Sequence, residues 1–221
     1  MSTPDRLLDM QDPNTWGPAL DEAVNALSRG GLVVLPTDTV YGVAADAFAP
    51  DAVAALLAAK GRGRQQPPPV LVPDARTLDG LARDVPAAVR DLVAAFWPGG
   101  LTVICRAQPS LAWDLGETHG TVALRMPDHP AALALLRRTG PLAVSSANRT
   151  GHPAALAAAG ALDELGDAIA VYLDGGAAPG GVASTIVDAT GARLRLVRAG
   201  AIDVEALRAV APVDGPEGAA G

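Results

Sequence analysis

The chain has 221 residues, 49% apolar and 19% charged, enough to bury a core and too apolar for a disordered or fibrous protein. Its formal net charge of -7 argues against a surface given over to nucleic-acid contacts, while leaving room for a local basic pocket. The single cysteine, Cys105, excludes an internal disulfide framework and a cysteine-based zinc site, and no apolar run approaches the ~20 residues of a membrane span.

The first residues place Asp and Pro where an export signal needs a basic and then an apolar stretch, so a cytoplasmic location is expected. A helix is expected over 18–29, with Leu20, Val24 and Leu27 on one face and Gly30 beyond its end. Residues 31–36 (GLVVLP) read as a buried strand, and Thr37, Asp38 and Thr39 follow it at once, which marks the strand end as a candidate site.

Residues 51–60 read as a helix that starts on Asp51 and exits at Gly61. Its exit carries Lys60, Arg62 and Arg64 (KGRGR). These cations either complement the negative end of the helix dipole or, stiffened by the following QQPPP, hold a polyphosphate. A helix over 86–97 leads into a strand over 101–106.

Three further apolar runs, 121–126, 141–146 and 168–174, alternate with helical patterns around 131–138 and 156–165. Within the first of these, Arg125 lies among apolar neighbours and must find an anion, either a structural partner or a bound carboxylate. The second runs into SSANRTG. That segment is either an ordinary Ser/Asn turn or a strand end presenting Ser146 and Asn148 as neutral donors to phosphate or ribose oxygens.

The glycines of GGAAPGG (175–181) read as a flexible turn. Strands over 183–188 and 193–198, back to back across Thr190 and Gly191, predict a hairpin, with Ser184, Thr185 and Arg198 at strand ends. A helix over 203–210 closes a single domain (1–210), and residues 211–221 are expected to form a disordered tail. The Walker loop, GxGxxG, HExxH and EF-hand patterns are all missing. GxSxG is missing as well, and His119, His129 and His152 lack the context of a triad base.

Taken together and in this order, LPTDTVYG (35–42), KGR (60–62), FWPGGLT (96–102), VALRMPDHP (122–130), SSAN (145–148), STIVD (184–188) and RAG (198–200) resemble the YrdC family of threonylcarbamoyl-AMP synthases. The likeness spans nearly the whole chain and corresponds to the short, single-domain form. It implies an α/β domain whose twisted, mixed parallel and antiparallel sheet is flanked by helices and carries an open concave cavity.

The resemblance also implies a nucleotidyltransferase reaction, in which L-threonine, bicarbonate and ATP give threonylcarbamoyl-AMP and pyrophosphate. Mg2+ would ride on the ATP phosphates, with no metal site of the protein's own. A downstream transferase would then modify adenosine 37 of tRNAs reading ANN codons, without requiring direct tRNA contact by this chain.

Matched residue by residue, the family's catalytic tetrad falls on Lys60, Arg62, Ser146 and Asn148. Thr121 and Arg198, with Arg64, would lie near ATP, and Thr37, Arg125 and Ser184 near threonine or its carbamate. The chain departs from the family pattern at Gly63, Pro68, Leu71 and Gly100. Two other classes share such a fold: a non-catalytic RNA-binding relative, which the acidic balance disfavours, and a carbamoyl-transfer module using carbamoyl phosphate, which normally comes with partner domains and zinc-binding cysteines.

Overall fold

The computed structural model describes residues 6–215. The first half of the chain gives β1 (Leu7–Asp9), α1 (Trp16–Ser28), β2 (Val33–Leu35), β3 (Gly42–Asp46), α2 (Pro50–Lys60), β4 (Val70–Leu71), α3 (Thr77–Leu81), β5 (Ala82–Arg83) and α4 (Ala87–Phe96). The second half gives β6 (Leu101–Ala107), β7 (Thr121–Arg125), α5 (Pro130–Thr139), β8 (Leu142–Ser146), α6 (Ala158–Leu165), β9 (Val171–Asp174), β10 (Thr185–Asp188), β11 (Leu194–Arg198), α7 (Val204–Val210) and β12 (Val213–Asp214).

Among the described residues the strands form one sheet in the order β1-β9-β2-β3-β8-β4-β7-β6-β10-β11-β12, with β5 added to β6. Parallel pairings (β2 with β9, β4 with β7, β6 with β10) mix with antiparallel ones (β2 with β3, β3 with β8, β6 with β7), as expected. The hairpin forms from β10 and β11, which pair antiparallel with a register shift after Ile186.

The period-two alternation of strand side chains divides the sheet into faces. In β2, Val33 and Leu35 pack under α1 and α5, while Val34 joins the cluster under α2 and α6. The β1 to β8 end of the sheet is therefore covered by helices on both faces. Toward the other end, Val103, Leu124 and Val187 pack with Leu92 and Val93 of α4 and Leu207 of α7. The opposite face there, carrying Thr102, Ile104, Ala123 and Ile186, has no helix over it and lines a cavity. The fold thus leaves one half of one sheet face free for a ligand.

The structure departs from the sequence reading in two respects. Strands β1, β3, β4 and β5 and helix α3 form where none was expected. Residues 211–215 of the expected tail are also ordered into the fold, because Ala211 and Val213 are buried and Val213 pairs with Leu194 of β11. An apolar side chain at alternate positions is enough to dock a two-residue strand on an open edge, and composition does not report that. Residues 216–221 of the expected tail lie outside the described residues.

Candidate active site

The cavity has a volume of about 320 Å³ and is built from consecutive strands β3, β8, β4, β7, β6, β10 and β11. Arg62, Arg125 and Arg198 all line it, and no Asp or Glu does among the described residues. An anion entering it meets three guanidinium groups and a series of hydroxyls.

The first edge is where α2 ends. Gly61 takes the left-handed conformation (φ 62°) and its N–H caps the helix on Ala58 O, turning the chain sharply after Lys60. Lys60 itself is buried, and its ammonium donates to Ser146 O and to Asn148 O (2.6 Å) in the turn after β8. Thr150 N donates back to Lys60 O (2.9 Å). Burial, then the neighbouring Arg62 charge, lower the Lys60 pKa to about 8, while Glu164 opposes them.

Arg62 donates through Nη1 to Ser145 Oγ (2.9 Å) and through Nε to Gln66 Oε1 (3.0 Å). Gly42 pairs with Ser146 across the β3–β8 ladder, and a Cβ there would meet Val144 Cγ1 at 2.6 Å. A larger residue at 42 would have to displace the Val144 side chain of β8, next to the Ser145–Ser146 segment that lines the cavity. Asn148 is buried; its Nδ2 donates to Arg149 O (2.8 Å) and His152 O (2.7 Å), which fixes the amide and leaves Oδ1 buried without a partner.

At the opposite edge, Arg198 donates from Nε and Nη2 to Ser184 O and from Nη2 to Ser184 Oγ (3.0 Å). Ser184 Oγ also pairs with Thr102 Oγ1 (2.8 Å). Arg62 and Arg198 both line the cavity, and burial, then repulsion from Arg62, hold Arg198 below the ordinary arginine pKa. Arg125 at the end of β7 is buried, and its guanidinium donates to Gly99 O, Thr39 Oγ1 and Asp38 Oδ1. Burial lowers its pKa and Asp38 opposes that shift.

Most of the residues singled out in the sequence come together. Thr37, Arg62, Thr121, Arg125, Ser146, Ser184 and Arg198 line the cavity, and Lys60 and Asn148 brace its Ser146 wall from behind. Thr121 Oγ1 donates to Thr118 O (2.7 Å) at the rim. Arg64 does not join them: it is exposed, paired with Asp114 at 2.8 Å, and absent from the cavity wall. That pair, with Glu117 N donating to Arg64 O and Phe48 stacked on Trp113 (centroids 5.5 Å apart), fastens the 108–120 loop beside the cavity. Thr37 is present, but its hydroxyl turns inward and donates to Val40 O (2.7 Å).

Sequence reasoning missed Asp38 and Thr39 as the partners of Arg125, Ser145 as the partner of Arg62, and Thr102 as the partner of Ser184. Strand alternation was the available signal for Thr102, since it shares a face with Ile104. No local signal pairs Asp38 with a residue 87 positions away.

The profile of the Sua5/YciO/YrdC family, described as Telomere recombination, matches residues 25–200. A Mycobacterium tuberculosis protein that carries the provisional name threonylcarbamoyl-AMP synthase is 52% identical over 93% of this chain and 95% of its own. The threonylcarbamoyl-AMP synthase of Bacillus subtilis is 38% identical over 95% of this chain and 62% of its own. Among solved structures, Pyrococcus abyssi Sua5 complexed with L-threonine is 29% identical and superposes with a TM-score of 0.87 over 94% of this chain and 62% of its own. The chain therefore spans about three fifths of the length of the last two proteins.

Proposed function

This chain belongs to the Sua5/YciO/YrdC family, and on that premise we propose that it is a threonylcarbamoyl-AMP synthase, converting L-threonine, bicarbonate and ATP to threonylcarbamoyl-AMP and pyrophosphate. The observation that carries this reading is the convergence of Arg62, Arg125 and Arg198 on one cavity whose wall has no carboxylate among the described residues. Threonine, bicarbonate, ATP, pyrophosphate and the adenylate each carry at least one anionic group.

In this reading the threonine amine, once neutral, forms a carbamate, either adding to carbon dioxide with loss of a proton or adding to bicarbonate with loss of water. A carbamate oxygen attacks the α-phosphate, the bond to the β-phosphate oxygen breaks, and pyrophosphate leaves. The attack brings anion onto anion, so positioning and charge stabilisation supply the catalysis. Arg62 and Arg198, with Ser146 and Thr121, hold the nucleotide. Lys60 adds its charge and fixes the turn that carries Ser146 and Asn148. Arg125 and Ser184 take the threonine end.

Magnesium carried on the ATP phosphates would neutralise part of their charge. No group of three or more His, Cys, Asp or Glu side chains placed to hold a metal ion is found among the described residues. Among the described residues no helix is long and apolar enough to cross a membrane. A nucleotidyltransferase acting in the cytoplasm, whose labile product passes to a tRNA-modifying transferase, completes the proposal.

The test supplies the protein with ATP and either threonine plus labelled bicarbonate or carbamoyl phosphate, and identifies the adenylate by mass spectrometry. Label in a threonine-containing adenylate supports the synthase. An adenylate formed only from carbamoyl phosphate makes the protein a carbamoyl-transfer module instead.

A further inference from the structure

The turn after β8 is held from two sides through one peptide group. The carbonyl of Asn148 accepts from the Lys60 ammonium (2.6 Å), and the N–H of the same peptide, on Arg149, donates to Glu164 Oε2 (3.2 Å). Glu164 lies on α6, 15 residues beyond Arg149. A cation at the peptide oxygen and a carboxylate at the peptide nitrogen both match its dipole, so the group cannot turn over without losing both partners.

The Asn148 side chain depends on the same contacts. Its amide spends one proton on Arg149 O (2.8 Å) and the other on His152 O (2.7 Å). Glu164 holds both of those residues. Its main-chain oxygen accepts from Arg149 Nε (2.9 Å), and its Oε1 lies 3.0 Å from His152 Nδ1. An exposed His–Glu pair by itself contributes little. Here the pair closes a frame around a buried amide, and His152 N donates to Arg149 O (3.1 Å) to complete it. Ser146, which lines the cavity, leads into this turn, and its carbonyl accepts from Lys60 and from Asn148 N (2.9 Å).

We propose that Glu164 is a positioning residue for the nucleotide, fixing the Ser146–Asn148 wall from outside by gripping Arg149 and His152 while Lys60 grips the same peptide from inside. This rests on the synthase reading, which puts ATP against Ser146, and deepens it with a residue that lies in none of the sequence motifs.

The experiment compares Glu164→Ala and Glu164→Gln with the unaltered protein. It measures KM for ATP and for threonine by pyrophosphate release, and the affinity for ATP with magnesium by calorimetry, with thermal midpoints to confirm folding. Glu164→Ala should raise the ATP KM and Kd about three- to tenfold, the effect of losing one or two hydrogen bonds, while the threonine KM stays within about twofold. Glu164→Gln keeps an oxygen for Arg149 N and an NH2 for His152 Nδ1, and should return both ATP values to near the original. An unchanged ATP Kd in Glu164→Ala, an equal rise in both KM values, or no rescue by Glu164→Gln would overturn the positioning role. The two readings fail separately: ATP binding without threonine-dependent pyrophosphate release in the unaltered protein would overturn the synthase reading, and the calorimetry of the two variants would still decide the role of Glu164.

Discussion

The Lys60 ammonium lies 2.6 Å from Asn148 O, so the end of α2 is fastened directly to the turn that follows β8. Two segments 88 residues apart in the chain become one wall of the cavity, with the Lys60 side chain joining them beside the Arg62–Ser145 bond and the backbone bond from Thr150 N to Lys60 O. A lysine placed this way acts twice, as a local positive charge and as the brace that keeps Ser146 and Asn148 in place.

Lys60→Ala removes both roles. Turnover should fall between about tenfold and a few hundredfold, the range of one to two hydrogen bonds from a charged group. Steady-state pyrophosphate release measures it, and an unchanged rate removes Lys60 from the mechanism.

The pH profile follows from the same residue. With a pKa lowered to about 8, Lys60 is charged below that pH and neutral above it. If the charge assists the reaction, kcat/KM for ATP should fall on the alkaline side with a midpoint near 8. Stability moves the other way: the unfolded chain binds this proton up to the ordinary lysine value near 10.5, so the Lys60 contribution makes the fold more stable as pH rises from about 8 to about 10.5. Denaturant midpoints of the protein and of Lys60→Met, compared across that window, check the sign.

Arg64→Ala separates motif position from geometry. Arg64 is exposed and its guanidinium pairs with Asp114, an interaction that water and salt largely screen. ATP KM should change by no more than about twofold, and a tenfold rise would place Arg64 on the nucleotide after all.

The core behind the cavity is tested by Leu124→Ala. Leu124 is fully buried on the face of β7 opposite the cavity. Its truncation should cost about 2–5 kcal/mol of stability in urea unfolding, since the cavity left in a packed layer closes only in part. Threonine and ATP KM values of the folded fraction should hold.

Much of this was legible in the sequence because it is local. Residues 51–60 carry their helix signals, Asp51 at the start and Gly61 at the exit, and the strands over 101–106, 121–126 and 141–146 appear within a residue or two. The ordered motifs likewise pointed to Arg62, Ser146, Arg125, Ser184 and Arg198 as one site. What escaped is non-local or small. Strands β4 and β5 have two residues each, below any periodicity, and exist because a neighbouring edge offers backbone partners. Thr37 and Thr39 look alike in the motif, and only the position of Val40 O decides which hydroxyl faces Arg125. Arg64 shares its basic run with Lys60 and Arg62, but Asp114, 50 residues on, draws it out of the cavity.

The most direct test is pyrophosphate release by the purified protein with ATP and magnesium, with threonine and bicarbonate each supplied or withheld. Release that requires both is the predicted result. Release that continues without threonine, or none in the complete mixture, would contradict the synthase reading.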